Sequence, residues 1–154
     1  MVEDWPGTGT RALFLRDIAN ITMDLDDVEN IQFNALGGSD DITVGDLSGT
    51  DVKQDNLDLS AQAGSGQGDG AADTVTANGT QGNDTITVAS SGASVVVNGL
   101  AAKVRIAGAE GANDSLVING QGGDDTINAA GLNAGQVKLT INAGLGNDTI
   151  TGSK

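Results

Sequence analysis

Two stretches decide how this chain is read: GQGGDDTIN at residues 120–128 and AGLGNDTIT at 143–151. Each opens on a glycine-rich turn, reaches an Asp, and runs at once into a short burst with one central apolar side chain. Related phrases stand upstream: GGSDDIT at 37–43, GDGAADTVT at 68–76, GTQGNDTIT at 79–87 and GAEGANDSLV at 108–117. A phrase recurring at short intervals marks a repeat architecture, because a unit this small cannot bury its apolar face alone.

Outward from these phrases, apolar bursts centre on Phe14, Met23, Gln32, Thr43, Asp58, Val75, Ile86, Val96, Arg105, Val117, Ile127, Thr140 and Ile150, in steps of 9 to 17 residues. Most steps are too short for a strand plus a crossover helix, and the dense glycine punctuation opposes helices. The expected fold is therefore all-β, a parallel β-solenoid (β-roll or right-handed parallel β-helix). Two steps make one coil of about 21 residues. Residues 1–10 read as a flexible lead-in and 11–154 as a single repeat domain, a fragment of a longer protein. Trp5 and Phe14 are candidates to cap the first coil, and the end near Ile150 is expected to be open, with end-to-end self-association or fraying.

A second register supports stacked coils. Asn78, Asn98, Asn119 and Asn142 each close a burst just before a glycine, at intervals of 20, 21 and 23 residues. In a solenoid they would form one column of bonded amides; the alternative is turn chemistry, since Asn-Gly also closes hairpins.

Composition narrows the partners. The 154 residues carry a net charge of −14, from 21 acidic and 7 basic residues, and only 2% are aromatic. That charge repels nucleic acid, and no apolar run is long enough to span a membrane. The chain has no Cys and no His, which excludes the usual zinc sites and Cys- or His-based catalysis. The acids are nearly all Asp, the carboxylate suited to a tight turn or to a cation.

The Asp phrases resemble the nonapeptide of RTX, or haemolysin-type, calcium-binding repeats, Gly-Gly-x-Gly-x-Asp-x-apolar-x, in degenerate form. The resemblance implies Ca²⁺ held between stacked turns by carboxylates and glycine-turn carbonyls. It also implies coupling of binding to folding, and a place in a bacterial secreted or cell-surface protein. The aligned acids are Asp40, Asp73, Asp84, Asp114, Asp125 and Asp148. AGLGNDTIT departs from the pattern only at Ala143, whereas GTQGNDTIT carries Thr80 and GQGGDDTIN carries Gln121 at the second glycine. On a two-faced coil, Asp125 and Asp148 share an edge with Gly122, Gly123, Gly144 and Gly146, and Asp40 shares one with Asp73. Asp84 is expected to face Lys103, and Asp114 to face no Asp, so about one or two ions are expected. The same Asp-Thr pairs could instead bond backbone N–H groups. DVKQDNLD at 51–58 reads as a solvated turn.

Three function classes follow. The first is a calcium-binding structural module, with calcium ions and neighbouring repeats as its partners. The second is a metal-free spacer or adhesin stalk. The third is a carbohydrate-active β-helix, disfavoured because only Lys103 and Arg105 are basic near the middle and no aromatic platform is present; no enzyme is expected. The triplets TVT at 74–76, TIT at 85–87 and TIT at 149–151 place Thr outward as on an ice-binding face, in a column expected to be interrupted by VRI, VVV and LVI.

Overall fold

The computed structural model describes residues 1–4, 10–16 and 20–154. Among these, all regular structure is strand. The strands are β1 (Val2–Asp4), β2 (Ala12–Arg16), β3 (Ile21–Leu25), β4 (Asn30–Asn34), β5 (Asp41–Val44), β6 (Gln54–Asp58) and β7 (Thr74–Asn78). They continue as β8 (Thr85–Ser91), β9 (Ser94–Asn98), β10 (Lys103–Ala107), β11 (Ser115–Asn119), β12 (Thr126–Gly131), β13 (Lys138–Asn142) and β14 (Thr149–Thr151). Every burst expected from sequence coincides with one of β2–β14. The lead-in expected at 1–10 is partly strand, since Val2–Asp4 pair with β2 and Val2 meets Val44 of β5. Trp5, Pro6, Gly7, Thr8 and Gly9 lie outside the described residues, and so does Trp5 as a cap; Phe14 packs its ring against Phe33, centroids 5.8 Å apart.

The strands form two mixed seven-stranded sheets, ordered β13-β11-β7-β5-β1-β2-β3 and β14-β12-β8-β9-β10-β6-β4. From β5 to β8, and again from β11 to β14, successive strands alternate between the sheets. Period-2 alternation points one side chain inward and the next outward. The inward set (Val75, Ala77, Ile86, Val88, Val104, Ile106, Leu116, Ile118, Ile127 and Ala129 among them) is almost wholly buried and belongs to one core cluster. Parallel register turns the repeat into columns: Val75–Leu116–Leu139 in one sheet, Ile86–Ile127–Ile150 in the other. Burial falls away at the last pair, where Ile150 is 49% and Leu145 81% exposed.

An antiparallel excursion breaks the regular alternation. β8 does not cross to the other sheet but turns back through Gly92-Ala93 into β9, which pairs with β8 and then with β10. Gly92 has φ 62°, the left-handed conformation that the first residue of a tight two-residue hairpin loop requires. The consequence is a shift of partners. β7 meets β11, 41 residues later, whereas β11 meets β13 after 23. The Asn column follows this register: Asn119 Nδ2 donates to Asn78 Oδ1 at 2.8 Å, and Asn142 Nδ2 to Asn119 Oδ1 at 2.9 Å. Asn98, expected between them, is instead opposite Thr87 on antiparallel β9.

A second departure is DVKQDNLD. Its last five residues are strand β6, not a solvated turn, held in parallel between β4 and β10. Asp55 therefore points inward, flanked by Ile31 and Val104. It is fully buried, and neither carboxylate oxygen has a hydrogen-bond partner. Burial pushes its carboxyl up to about 7, with the N-terminal ammonium pulling the other way.

Two outcomes test this arrangement. Asn119→Ala removes two ladder bonds and is expected to cost about 1–2 kcal/mol in urea unfolding, whereas Asn98→Ala should stay within roughly 0.5 kcal/mol of the parent; equal effects would refute the register. For Asp55 the folded-state value near 7 lies above the unfolded value of about 3.9. The folded state thus holds a proton that the unfolded state releases, so stability falls as pH rises from about 4 to 7 and then levels off. Asp55→Val should flatten that slope and raise stability at pH 8 by roughly 2–4 kcal/mol, read by thermal unfolding across pH.

Candidate functional site

The six Asp residues aligned by their phrases fall on two edges of the stack, immediately before the strands. On one edge, Asp40 N–H donates to Asp73 Oδ1 at 2.9 Å, and Asp73 N–H to Asp114 Oδ1 at 3.0 Å. On the other, Asp84 N–H donates to Asp125 Oδ1 at 2.8 Å and Asp125 N–H to Asp148 Oδ1 at 2.9 Å. The carbonyls of the same residues receive the next layer's chain: Thr126 N–H on Asp84, Thr149 N–H on Asp125, Ser115 N–H on Asp73. Each Asp thus extends the parallel ladder by one rung beyond the strand. Its short side chain substitutes for a backbone carbonyl where the turn has ended the sheet.

The expected edge-sharing of Asp125 with Asp148, and of Asp40 with Asp73, is present. Two expected placements are not. Asp84 faces Asp125, not Lys103, and Asp114 bonds Asp73. Both follow from the β8–β9–β10 excursion, which brings β12 directly beside β8 and β11 beside β7. The signal for it was Gly92-Ala93 between SVVV and TVAS-type runs, a two-residue hairpin loop. The same register sets Thr85, Thr126 and Thr149 side by side, whereas Asn128 stands between Thr87 and Thr151 and Val117 beside Thr76, so only one row of outward Thr is continuous over three strands.

Second oxygens and neighbouring residues tighten the turns. Thr80 N–H reaches Asp84 Oδ2 at 2.7 Å, and Glu110 N–H reaches Asp114 Oδ2 at 2.6 Å. The residue before the Asp works in the opposite direction: Asn83 Oδ1 accepts Asp124 N–H, and Asp124 Oδ1 accepts Asn147 N–H. Gln81 Nε2 bonds Gln121 Oε1 at 2.5 Å. Asp69 takes Gly38 and Ala71 N–H groups, which hold its carboxyl below the usual range.

The glycines fit a close approach between turns. A Cβ at Gly144 would lie 2.0 Å from the Gln121 carbonyl oxygen, and one at Gly146 would lie 1.9 Å from that of Gly123. Gly144 and Gly146 also have φ of 106° and 139°, open to glycine without strain. Gly122 bridges Leu145, Gly123 N–H donates to the Leu145 carbonyl at 2.9 Å, and Leu145 N–H to that of Gln121 at 3.0 Å.

Stacked carboxylates repel one another. Burial chiefly lifts the Asp73 carboxyl to about 6, against the pull of the Asp40 N–H, and the charges of Asp114, Asp69 and Asp40 add to the rise. Asp40 is also raised, by burial and then by Asp69, with Arg16 opposing. Asp125 Oδ2 is buried without a donor; at its rung the residue matching Thr80 and Glu110 is Gln121, at φ 74°.

A Ca²⁺ needs about 6–8 oxygens around one point. Among the described residues no group of three or more acidic side chains converges in that way, and the Gln121 and Leu145 carbonyls already accept N–H groups. Comparison with family models, with curated proteins and with solved structures gives no match to this chain.

The ladder ranks its own members. Asp114→Ala strips acceptors from two N–H groups and is expected to cost about 2–4 kcal/mol; Asp148→Ala, with one N–H at the exposed last rung, should cost about 1 kcal/mol. Denaturant unfolding of both variants checks the order, and a costlier Asp148 substitution would contradict it.

Proposed function

We propose that this chain is a structural repeat module, a β-solenoid segment interrupted by the β8–β9 hairpin, that acts as a spacer in a bacterial secreted or cell-surface protein. The observation that supports this reading best is the pair of Asp ladders. The residues that the RTX resemblance assigns to calcium are here engaged in fastening one layer's backbone to the next. A module built this way transmits position along its axis, because every layer is bonded to its neighbours through strand, turn and side chain alike. Its role is mechanical rather than catalytic, with neighbouring repeats as its natural partners.

A second reading, Ca²⁺ binding at the last two layers, is favoured by one observation. Asp125 Oδ2 is buried without a donor, beside Asp148 and the glycine turns at Gly122, Gly123, Gly144 and Gly146. A cation there would draw on those oxygens and couple binding to folding.

Circular dichroism of chelator-stripped protein, followed by titration with Ca²⁺ and Mg²⁺, separates the two. The spacer reading expects full β signal without metal and less than about 1 kcal/mol of stabilisation at 1 mM Ca²⁺. Loss of β signal on chelation, restored by Ca²⁺ alone and blunted by Asp125→Ala, would overturn it in favour of the calcium reading.

A further inference from the structure

The outer face of the second sheet carries a polar groove unrelated to the Asp ladders. Its floor is β4, β6 and β10, whose register aligns Gln32–Asn56–Arg105 in one row and Asn34–Asp58–Ala107 in the next. The loop at Gly64–Gly66 and the β8–β9 hairpin at Ser91–Ser94 wall a cavity of about 420 Å³, within the range of small-molecule sites (about 300–1,000 Å³).

The amides here behave differently from the Asn column on the other sheet. Asn78, Asn119 and Asn142 bond across strands and satisfy one another. In the groove the amides bond along a strand: Gln32 Nε2 to Asn34 Oδ1 at 2.9 Å, and Gln54 Nε2 to Asn56 Oδ1 at 2.5 Å. Asn56 Nδ2 reaches back to the Ile31 carbonyl at 3.4 Å. These bonds orient the amides without closing the row, so Gln32 Oε1 and Asn34 Nδ2 remain as an outward acceptor and donor. Arg105 is exposed and has no ion pair or hydrogen bond among the described residues, on a chain of net charge −14. The nearby Asp58 carboxylate does not claim it. Asp58 is 5% exposed and accepts the Ser60 N–H and hydroxyl and the Gly64 N–H. Against the cost of its burial, these donors and the charge of Arg105 hold its carboxyl low.

We propose that this groove binds a saccharide bearing a carboxylate, its hydroxyls on the Gln32, Asn34 and Asn56 amides and its carboxylate on the Arg105 guanidinium. Paired donors and acceptors in a row are what sugar hydroxyls require. The planar guanidinium matches a carboxylate through two parallel N–H bonds. A long polyanion is excluded by the field of the whole chain. A single carboxylate at contact distance is not, because Asp58, the acid that lines the groove, already accepts three hydrogen bonds, and charges farther off are screened over about 8 Å in physiological salt.

The test is titration of the full chain, followed by amide NMR, with a glucuronate-containing trisaccharide, its carboxyl-reduced counterpart, and a hexaglutamate peptide. Expected are shifts confined to β4, β6 and β10 with the acidic sugar and binding at least about tenfold weaker with the reduced one. Arg105→Ala should weaken the acidic sugar by about tenfold or more, and Arg105→Lys, which keeps the charge and loses the fork, by less. Lys138→Ala, outside the groove, should leave it unchanged. Asn34→Ala serves as a second variant should Arg105→Ala perturb the fold, and should also weaken binding. Absence of shifts, equal binding of both sugars, or binding of the peptide alone would each overturn the proposal.

Discussion

The interaction on which the rest depends is the hydrogen bond from one Asp N–H to the carboxylate of the Asp one layer on. A parallel strand pair ends where the turn begins, and at that point the backbone loses its regular partners. Placing Asp at the boundary adds one more rung. The side chain must be short, since a longer one would overshoot a neighbour at strand spacing of about 4.8 Å. That is a physical reason for 18 Asp against three Glu in this chain. The turns then stack closely enough that Gly144 and Gly146 face carbonyls at distances no side chain tolerates.

This construction stacks like charges, and the molecule offsets that in two ways. Backbone N–H groups aim their positive ends at the carboxylates, stabilising the ionised form. Where burial outweighs them, as at Asp73, the carboxyl rises to about 6 and carries its proton more readily. Asp55 is the extreme case, with no donor at all and a value of about 7. Both contributions make the fold more stable toward mildly acidic pH than in alkali, the sign expected when folded-state values lie above unfolded ones.

The β8–β9–β10 excursion gives the two sheets different characters. In the first sheet, β7, β11 and β13 repeat one pattern and their Asn residues close into a column. In the second, β9 reverses direction and separates the Thr-bearing strands β8, β12 and β14 from the amide-bearing strands β4 and β6. Identical residue types therefore serve different ends according to their neighbours: amides bonded across strands complete a structure, whereas amides bonded along a strand leave groups free to meet a ligand.

Much of this was legible in the chain. Alternating apolar residues located strands β2–β14, because a period of two is written directly into side-chain order. The Asp-Gly phrases located every turn of the two ladders, because left-handed backbone and short acceptors demand those residues. What the sequence by itself determined is thus local: where strands lie, which side chains face inward, and where turns need Gly and Asp. Only the tertiary structure decided which turns meet. Asp84 beside Asp125, Asp114 beside Asp73 and Asn98 outside the column all depend on one hairpin reversing at Gly92, and Asp55 lies within the core because β6 pairs between β4 and β10. A strand's own residues record its alternation but not the identity or direction of its neighbour, because pairing energy comes from backbone groups common to every residue.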